Sequence, residues 1–169
     1  MMIVVSNSGP LIHLAKLSIL SVLKDLYSVI FIPPLVYNET VMKGKQRGYD
    51  DARIIEEAIG DWIIIVSHTP DPKFRLQAIQ YGLDEGEIQA ISMAWKYGAL
   101  LLIDDKKGRE FSRKFGIMIL GTVGIIISAA ERGIISKELA IKKLKLLPNV
   151  MYISQDVINE AIRKLKQTG

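Results

Sequence analysis

The chain has no cysteine among its 169 residues. Disulfides, thiolate zinc sites and cysteine nucleophiles are therefore excluded. Histidine is almost as scarce: His13 and His68 stand alone, without a partner at zinc-ligand spacing. Each reads as a surface residue or a satisfied core residue. Long hydrophobic runs are also missing. The longest apolar stretch, Ile117 to Ala130, is too short to span a bilayer and is interrupted by Gly121, Thr122, Gly124 and Ser128. It reads as a strand over Ile117–Leu120, a turn and then a helix. The opening residues Met1 to Asn7 have no basic segment and no long apolar core, which predicts the absence of a signal peptide. With the lack of cysteine, that leads to the expectation of a cytoplasmic protein. Gly121-Thr122-Val123-Gly124 lacks the lysine of a P-loop and the spacing of a dinucleotide fingerprint. Repeats, low-complexity tracts and Ser/Gly linkers are absent too.

What is present is a large apolar fraction, 49% of residues, enough for a sizeable core. The length suits one domain over 1–169, with 134–169 as its C-terminal helical extension. Asparagine and glutamine are scarce while isoleucine and lysine are abundant, a usage shared by thermophiles and by AT-rich genomes. The net charge of +4 is compatible with a phosphate-bearing partner without selecting one.

Short β-branched runs recur at Ile3–Val5, Val29–Ile32, Trp62–Val66, Leu100–Ile103 and Ile117–Leu120. None alternates polar with apolar, as expected for strands covered on both faces of a parallel sheet. Helical patterns lie between them. One starts after Pro10 and carries its apolar face through Leu26; another runs from Pro34 to about Gly44, and a third over Asp50–Ile59. Further stripes run from Ile88 to Gly98, Arg109 to Phe115, Ile125 to Arg132, Lys137 to Leu147 and Asp156 to Lys166. Met151–Ile153 reads as a late edge strand or extended segment. Ser67–Pro72 reads as a loop, and no element is read between Pro72 and Leu83. Strands alternating with helices predict an α/β sandwich about a parallel sheet of about five strands.

Acidic and amide residues collect where strands hand over to helices: Ser6-Asn7-Ser8, Glu39, Glu85 and Glu87, and Asp104-Asp105. The carboxyl ends of parallel strands share one edge, so residues distant in sequence converge there. Converging oxygen donors suit a hard divalent cation such as Mg²⁺ or Mn²⁺.

Four segments in order carry a family resemblance: Val4 to Ile12, Ile32 to Glu39, Leu83 to Ile91 and Leu101 to Asp105. They resemble a PIN-like domain, and more narrowly a poorly characterised prokaryotic subfamily related to VapC-type toxins. The resemblance covers Ile3 to about Gly133. It implies a three-layer α/β/α sandwich and a Mg²⁺- or Mn²⁺-dependent nuclease site acting on RNA. It also implies self-association as a homodimer and, for a toxin, a small antitoxin protein as partner. Carried over by motif, Asn7 stands at the family's first aspartate, Glu39 at the glutamate of the second helix and Glu87 at the acid opening the helix before the fourth strand. Asp105 stands at the acid beyond that strand, with Asp104 as the alternative if the register differs by one. Ser6, Ser8, Lys106, Arg109 and Thr122 are the expected substrate contacts.

The chain departs from the pattern at two positions. Asn7 offers an oxygen but no charge, so Glu39, Glu87 and Asp105 would bring about −3 rather than −4, with weaker cation binding. Glu87 is one methylene longer than the commoner aspartate. A catalytically silent module binding RNA or a protein is therefore the competing expectation. A receiver-like phosphoacceptor, suggested by Asp104-Asp105 with Thr122 and Lys106, fails on position: its acidic pair would follow the first strand, where Ser6-Asn7 stand.

Structural roles compete at each residue. Asp104-Asp105 and Glu85 or Glu87 are also what a helix N-terminus favours. Asn7, Ser6 and Ser8 are also turn formers, Thr122 a helix cap, and Lys106 and Arg109 members of a solvated face. Lys142, Lys143 and Lys145 lie on a helix with an apolar side, an expected interaction face.

Overall fold

A computed structural model describes residues 2–167 of the chain. Its centre is a parallel sheet of five short strands: β1 (Val4–Ser6), β2 (Ile30–Ile32), β3 (Ile63–Ile65), β4 (Leu100–Leu102) and β5 (Ile119–Leu120), in the order β3-β2-β1-β4-β5. Val5 lies beside Phe31 on one flank and Leu101 on the other, and Leu101 beside Ile119. Val4, Val5, Ile30, Ile32, Leu101 and Leu102 are almost completely buried, as their unbroken apolar runs require. The order runs outward from β1 to β3 and then crosses back to β4 on the other side of β1. A crevice opens at such a reversal, between the carboxyl ends of β1 and β4.

Two groups of helices cover the sheet. The first contains α1 (Ser8–Lys16), α2 (Val22–Tyr27) and a bent arm made of α3 (Pro34–Tyr37), a π-helical turn (Asn38–Met42) and α4 (Lys43–Gln46). It also contains α5 (Asp50–Ala58). The second contains α6 (Pro72–Tyr81), α7 (Glu85–Tyr97) and α8 (Lys106–Lys114), which pack on one another. The chain then returns to the first group through α9 (Thr122–Glu131), against which α10 (Lys137–Leu146) and α11 (Gln155–Gln167) pack. The described residues thus form an α/β/α sandwich whose core includes Leu11, Leu14, Ile55, Ile88, Ile91, Ile125 and Ile126. None of their helices is long and apolar enough to cross a membrane.

The structure corrects four local readings. The first helix does not continue to Leu26: it stops at Lys16 because Ser18 takes φ +60, and α2 restarts at Val22. Apolar periodicity survives across the break because both pieces bury the same side, which hides the turn from the pattern. The helix also begins at Ser8, so Pro10 is its third residue, still within the turn whose N–H groups have no intrahelical acceptor. Helix α6 has no counterpart in the sequence reading. Only Phe74 and Ala78 are buried along it, too few for a clear stripe, although its end signals are present. The Asp71 carboxylate caps the N–H groups of Lys73 and Phe74, Pro72 takes the first position, and Gly82 ends it at φ +96. Finally, Met151–Ile153 forms no strand: the chain bends at Met151, and Tyr152 is fully exposed.

Candidate metal and active site

Strand β1 ends in Ser6 and Asn7 at the crevice. Ser6 is completely buried and donates its hydroxyl to the Asn7 carbonyl at 2.9 Å. The Asn7 backbone N–H donates to Leu102 O at 2.9 Å, tying the ends of β1 and β4 together. Asn7 is only 7% exposed, and its Oδ1 is buried without a hydrogen-bond partner. Such an orphan is costly in a core and calls for an explanation. Asn7 precedes α1 yet makes no side-chain cap, so turn formation does not supply one.

Glu39 lies in the π-helical turn. One extra residue per turn re-aims the side chains that follow, and such bulges gather at functional sites. Ser8 donates its hydroxyl to Glu39 Oε2 at 2.9 Å, so this serine positions the carboxylate. The other oxygen passes over Gly86: a Cβ there would fall 1.9 Å from Oε1. Glu39 lines a cleft of about 370 Å³ with Leu35, Asn38, Lys43, Asp84, Glu85 and Gly86. Burial pushes its carboxyl above the ordinary value and Asp84 adds to that, while the Ser8 hydrogen bond and Lys43 oppose it.

Helix α7 opens with Asp84 as its cap, accepting from the Glu87 N–H at 2.8 Å. Asp84 and Asp105 are the acidic neighbours that act on the Glu87 carboxyl. Burial, then hydrogen bonding with Asp84 and its charge, then the charge of Asp105 and hydrogen bonding with it, push Glu87 up to about 9. Asp105 itself caps α8, accepting from the Gly108 N–H at 2.8 Å. Capping and closeness to Glu87 coexist. Glu85 borders the same cleft but is engaged in an ion pair with Arg75.

Asp104 faces away from this group. Its Oδ1 accepts from the Thr122 N–H at 2.7 Å, and its Oδ2 accepts from the Thr122 hydroxyl at 2.6 Å and meets His13 Nδ1 at 2.7 Å. Burial alone would raise the carboxyl, but the hydrogen bonds from His13 and Thr122 together outweigh it and hold it below the ordinary value. With both oxygens engaged, Asp104 locks the β4–α8 corner to α1 and α9. Thr122 is accordingly the first residue of α9, with Gly121 at the cap, and its hydroxyl is committed to Asp104. Gly121 leaves the room that this carboxylate occupies: a Cβ there would come 2.9 Å from Oδ1.

Lys106 is exposed in the first turn of α8. Arg109 is half-buried, with Nε buried and unpartnered. The structure therefore links Ser8, Glu39, Asp84, Glu87 and Asp105 in a chain of neighbours at the sheet's carboxyl edge. It leaves Asp104, Thr122 and Ser6 in structural pairings. Among the described residues, no three His, Asp or Glu side chains stand close enough to hold a metal ion as placed. The donor chemistry still fits a hard cation: oxygen donors only, an orphaned amide oxygen, and a carboxyl raised by two acidic neighbours.

Asp84 and Gly86 line the cleft beside Glu39 and His13 meets Asp104, and no family motif marks these three as site residues. A glycine in the first turn of an apolar helix was the available signal for Gly86, since it marks close approach. Nothing local marks His13, which meets Asp104 across 91 residues of sequence.

A family model described as a PIN domain matches residues 3–167. No curated protein matches the chain.

Proposed function

Because the chain belongs to the PIN domain family, we propose that it is a divalent-metal-dependent nuclease acting on RNA. The observation that carries this reading is the crowding of the Glu87 carboxyl by Asp84 and Asp105, and the orphaned Asn7 oxygen at the end of β1 supports it. Asn7 Oδ1, Glu39, Glu87 and Asp105 would hold the cation, Mg²⁺ or Mn²⁺. A cation held there would supply activation of a water for in-line attack on the phosphodiester and charge stabilisation on the phosphate and leaving oxygens. Ser8 orients the Glu39 carboxylate. Burial, Asp84 and Asp105 push the Glu87 carboxyl up to about 9, so a cation competes there with a proton and proton release accompanies loading. Lys43 borders the cleft beside Glu39, and Lys106 and Arg109 open α8 beyond Asp105. These cations are the contacts for RNA phosphates. The family resemblance carries the further expectations of a toxin's setting, an antitoxin partner and a homodimer.

A second reading is favoured by Asn7 itself. A neutral amide in the first position, with no ready group of three ligands among the described residues, suits a silent module that binds RNA without cutting it. Labelled RNAs incubated with Mn²⁺, Mg²⁺ or chelator decide between the two, comparing the native chain with Asn7→Asp. Metal-dependent cleavage by the native chain supports the nuclease. Cleavage by Asn7→Asp alone assigns silence to the missing charge, and cleavage by neither sinks the nuclease reading. Asn7→Asp should also tighten Mn²⁺ binding by roughly tenfold in calorimetry, the scale of one added ligand charge.

Gly86→Ala separates site from fold. The atom in the way is the far end of a flexible side chain, so Glu39 swings aside while the helix gains up to about 1 kcal/mol from losing a glycine. A melting temperature equal to or above the native one, with Mn²⁺ affinity down roughly tenfold, is expected. Unchanged affinity would remove Glu39 from the ligand set.

A further inference from the structure

The net charge of the chain is not spread over the fold. Residues 134–169 hold seven Lys and Arg against three Asp and Glu, whereas residues 1–133 hold fifteen of each sign. The whole excess of +4 therefore belongs to the C-terminal segment that forms α10 and α11. Charge asymmetry of this kind points to an anionic partner.

Within that pair of helices, a groove of about 490 Å³ is lined by Lys145, Asn159, Ile162, Arg163, Lys166 and Gln167. Lys142 is exposed one turn before Lys145, on the same side of α10. Arg163 pairs with Glu160. Lys142, Lys145 and Lys166 form no ion pair among the described residues. The apolar side chains Leu144, Leu147, Ile158 and Leu165 are completely buried. A bilayer surface would need such residues turned outward as a broad apolar face. Unpaired ammonium groups on flexible stems, with neutral amides between them, match a repeating line of phosphates.

We propose that the α10–α11 groove is a second nucleic-acid contact, binding the sugar-phosphate backbone of single-stranded RNA through Lys142, Lys145 and Lys166, away from the carboxylate site. This rests on the reading of RNA as substrate, but it requires no catalysis.

The test is the salt dependence of binding of a fluorescent oligouridylate in chelator, where nothing is cut. The triple variant Lys142→Gln, Lys145→Gln, Lys166→Gln is compared with the native chain and with a control, Lys16→Gln, Lys73→Gln, Lys96→Gln. Three lost phosphate contacts should lower the slope of log affinity against log salt by about 2. At 0.1 M salt that is a weakening on the order of a hundredfold. The control should stay close to native. Equal slopes in the two triple variants would overturn the proposal. So would tighter binding of polyglutamate or of anionic vesicles than of RNA, because the groove would then serve an acidic protein or a membrane. The nuclease reading fails separately: an RNA-binding groove in a chain that never cleaves leaves this inference standing, and cleavage with equal slopes leaves only the nuclease.

Discussion

Glu87→Gln should abolish metal-dependent RNA cleavage while making the metal-free protein more stable. The two effects have one cause. Glu87 is half-buried against Asp84 and Asp105, and its carboxyl is pushed up to about 9. A raised carboxyl binds its proton more tightly in the folded state than in the unfolded state, whose value is about 4.3. Its contribution to stability is therefore complete below about pH 4.3 and is lost as pH rises toward 9. Glutamine cannot ionise, so the variant's advantage should grow across that window. Much of the side chain faces solvent, so screening leaves about 1–2 kcal/mol of the effect. Thermal unfolding in chelator from pH 4 to pH 9 measures it. A difference that does not change with pH would mean that Glu87 is not crowded by its neighbours.

The loss of activity follows from the same geometry in the opposite direction. If the crowded carboxyl is held for a cation, its replacement removes a charge that only the cation compensates. Charge stabilisation by a bound metal is worth several kcal/mol in the transition state, which is on the order of a thousandfold in rate. The native chain's affinity for Mn²⁺ should also rise with pH through neutrality, because binding displaces the Glu87 proton. That pH dependence should disappear in Glu87→Gln. A variant that cuts RNA at the native rate would remove Glu87 from the chemistry altogether.

Asp104→Ala should be the most destabilising substitution at the crevice. Its carboxylate accepts the Thr122 N–H and hydroxyl and meets His13, and only 11% of the side chain is exposed. Truncation leaves three polar groups without partners at the junction of α1, β4 and α9. Breaking a buried, charge-assisted network by removing one member costs about 3–5 kcal/mol. For a chain of this size that lowers Tm by roughly 10 °C or more. Asp104→Asn keeps the shape and the Thr122 donors, so it should cost less. Because the carboxyl is held below its ordinary value, its contribution is present above about pH 3.9 and fades as pH falls through the lower folded-state value. The gap between native and Asp104→Asn should therefore narrow in acid. Full stability of Asp104→Ala would show that His13 and Thr122 are satisfied by other groups.

The sequence was enough for the architecture because parallel strands and amphipathic helices announce themselves locally. Unbroken runs such as Leu100–Ile103 admit few other uses, and a helix such as α7 shows its buried Ile88 and Ile91 at helical spacing. The same logic failed for α6, where two buried residues are too few to make a pattern. It failed again at Ser18, where a left-handed residue breaks a helix without breaking its apolar stripe. Sequence alone also placed Asn7 and Asp104-Asp105 at strand ends, which share an edge in a parallel sheet, whereas Glu39 stands in the π-helical turn beyond α3 and Glu87 opens α7 directly after α6, not after a strand.

Which acid faces which neighbour was decided only in three dimensions. Asp104 and Asp105 are adjacent and chemically identical, so no local signal separates them. One turns to His13 and Thr122, and the other caps α8 beside Glu87. Gly86 and Ser8 owe their roles to Glu39, which reaches them across the fold from a π-helical turn. The reason is physical. Secondary structure depends on neighbours within a few residues, whereas side-chain electrostatics depends on distances of a few ångströms between groups that only the packed chain brings together.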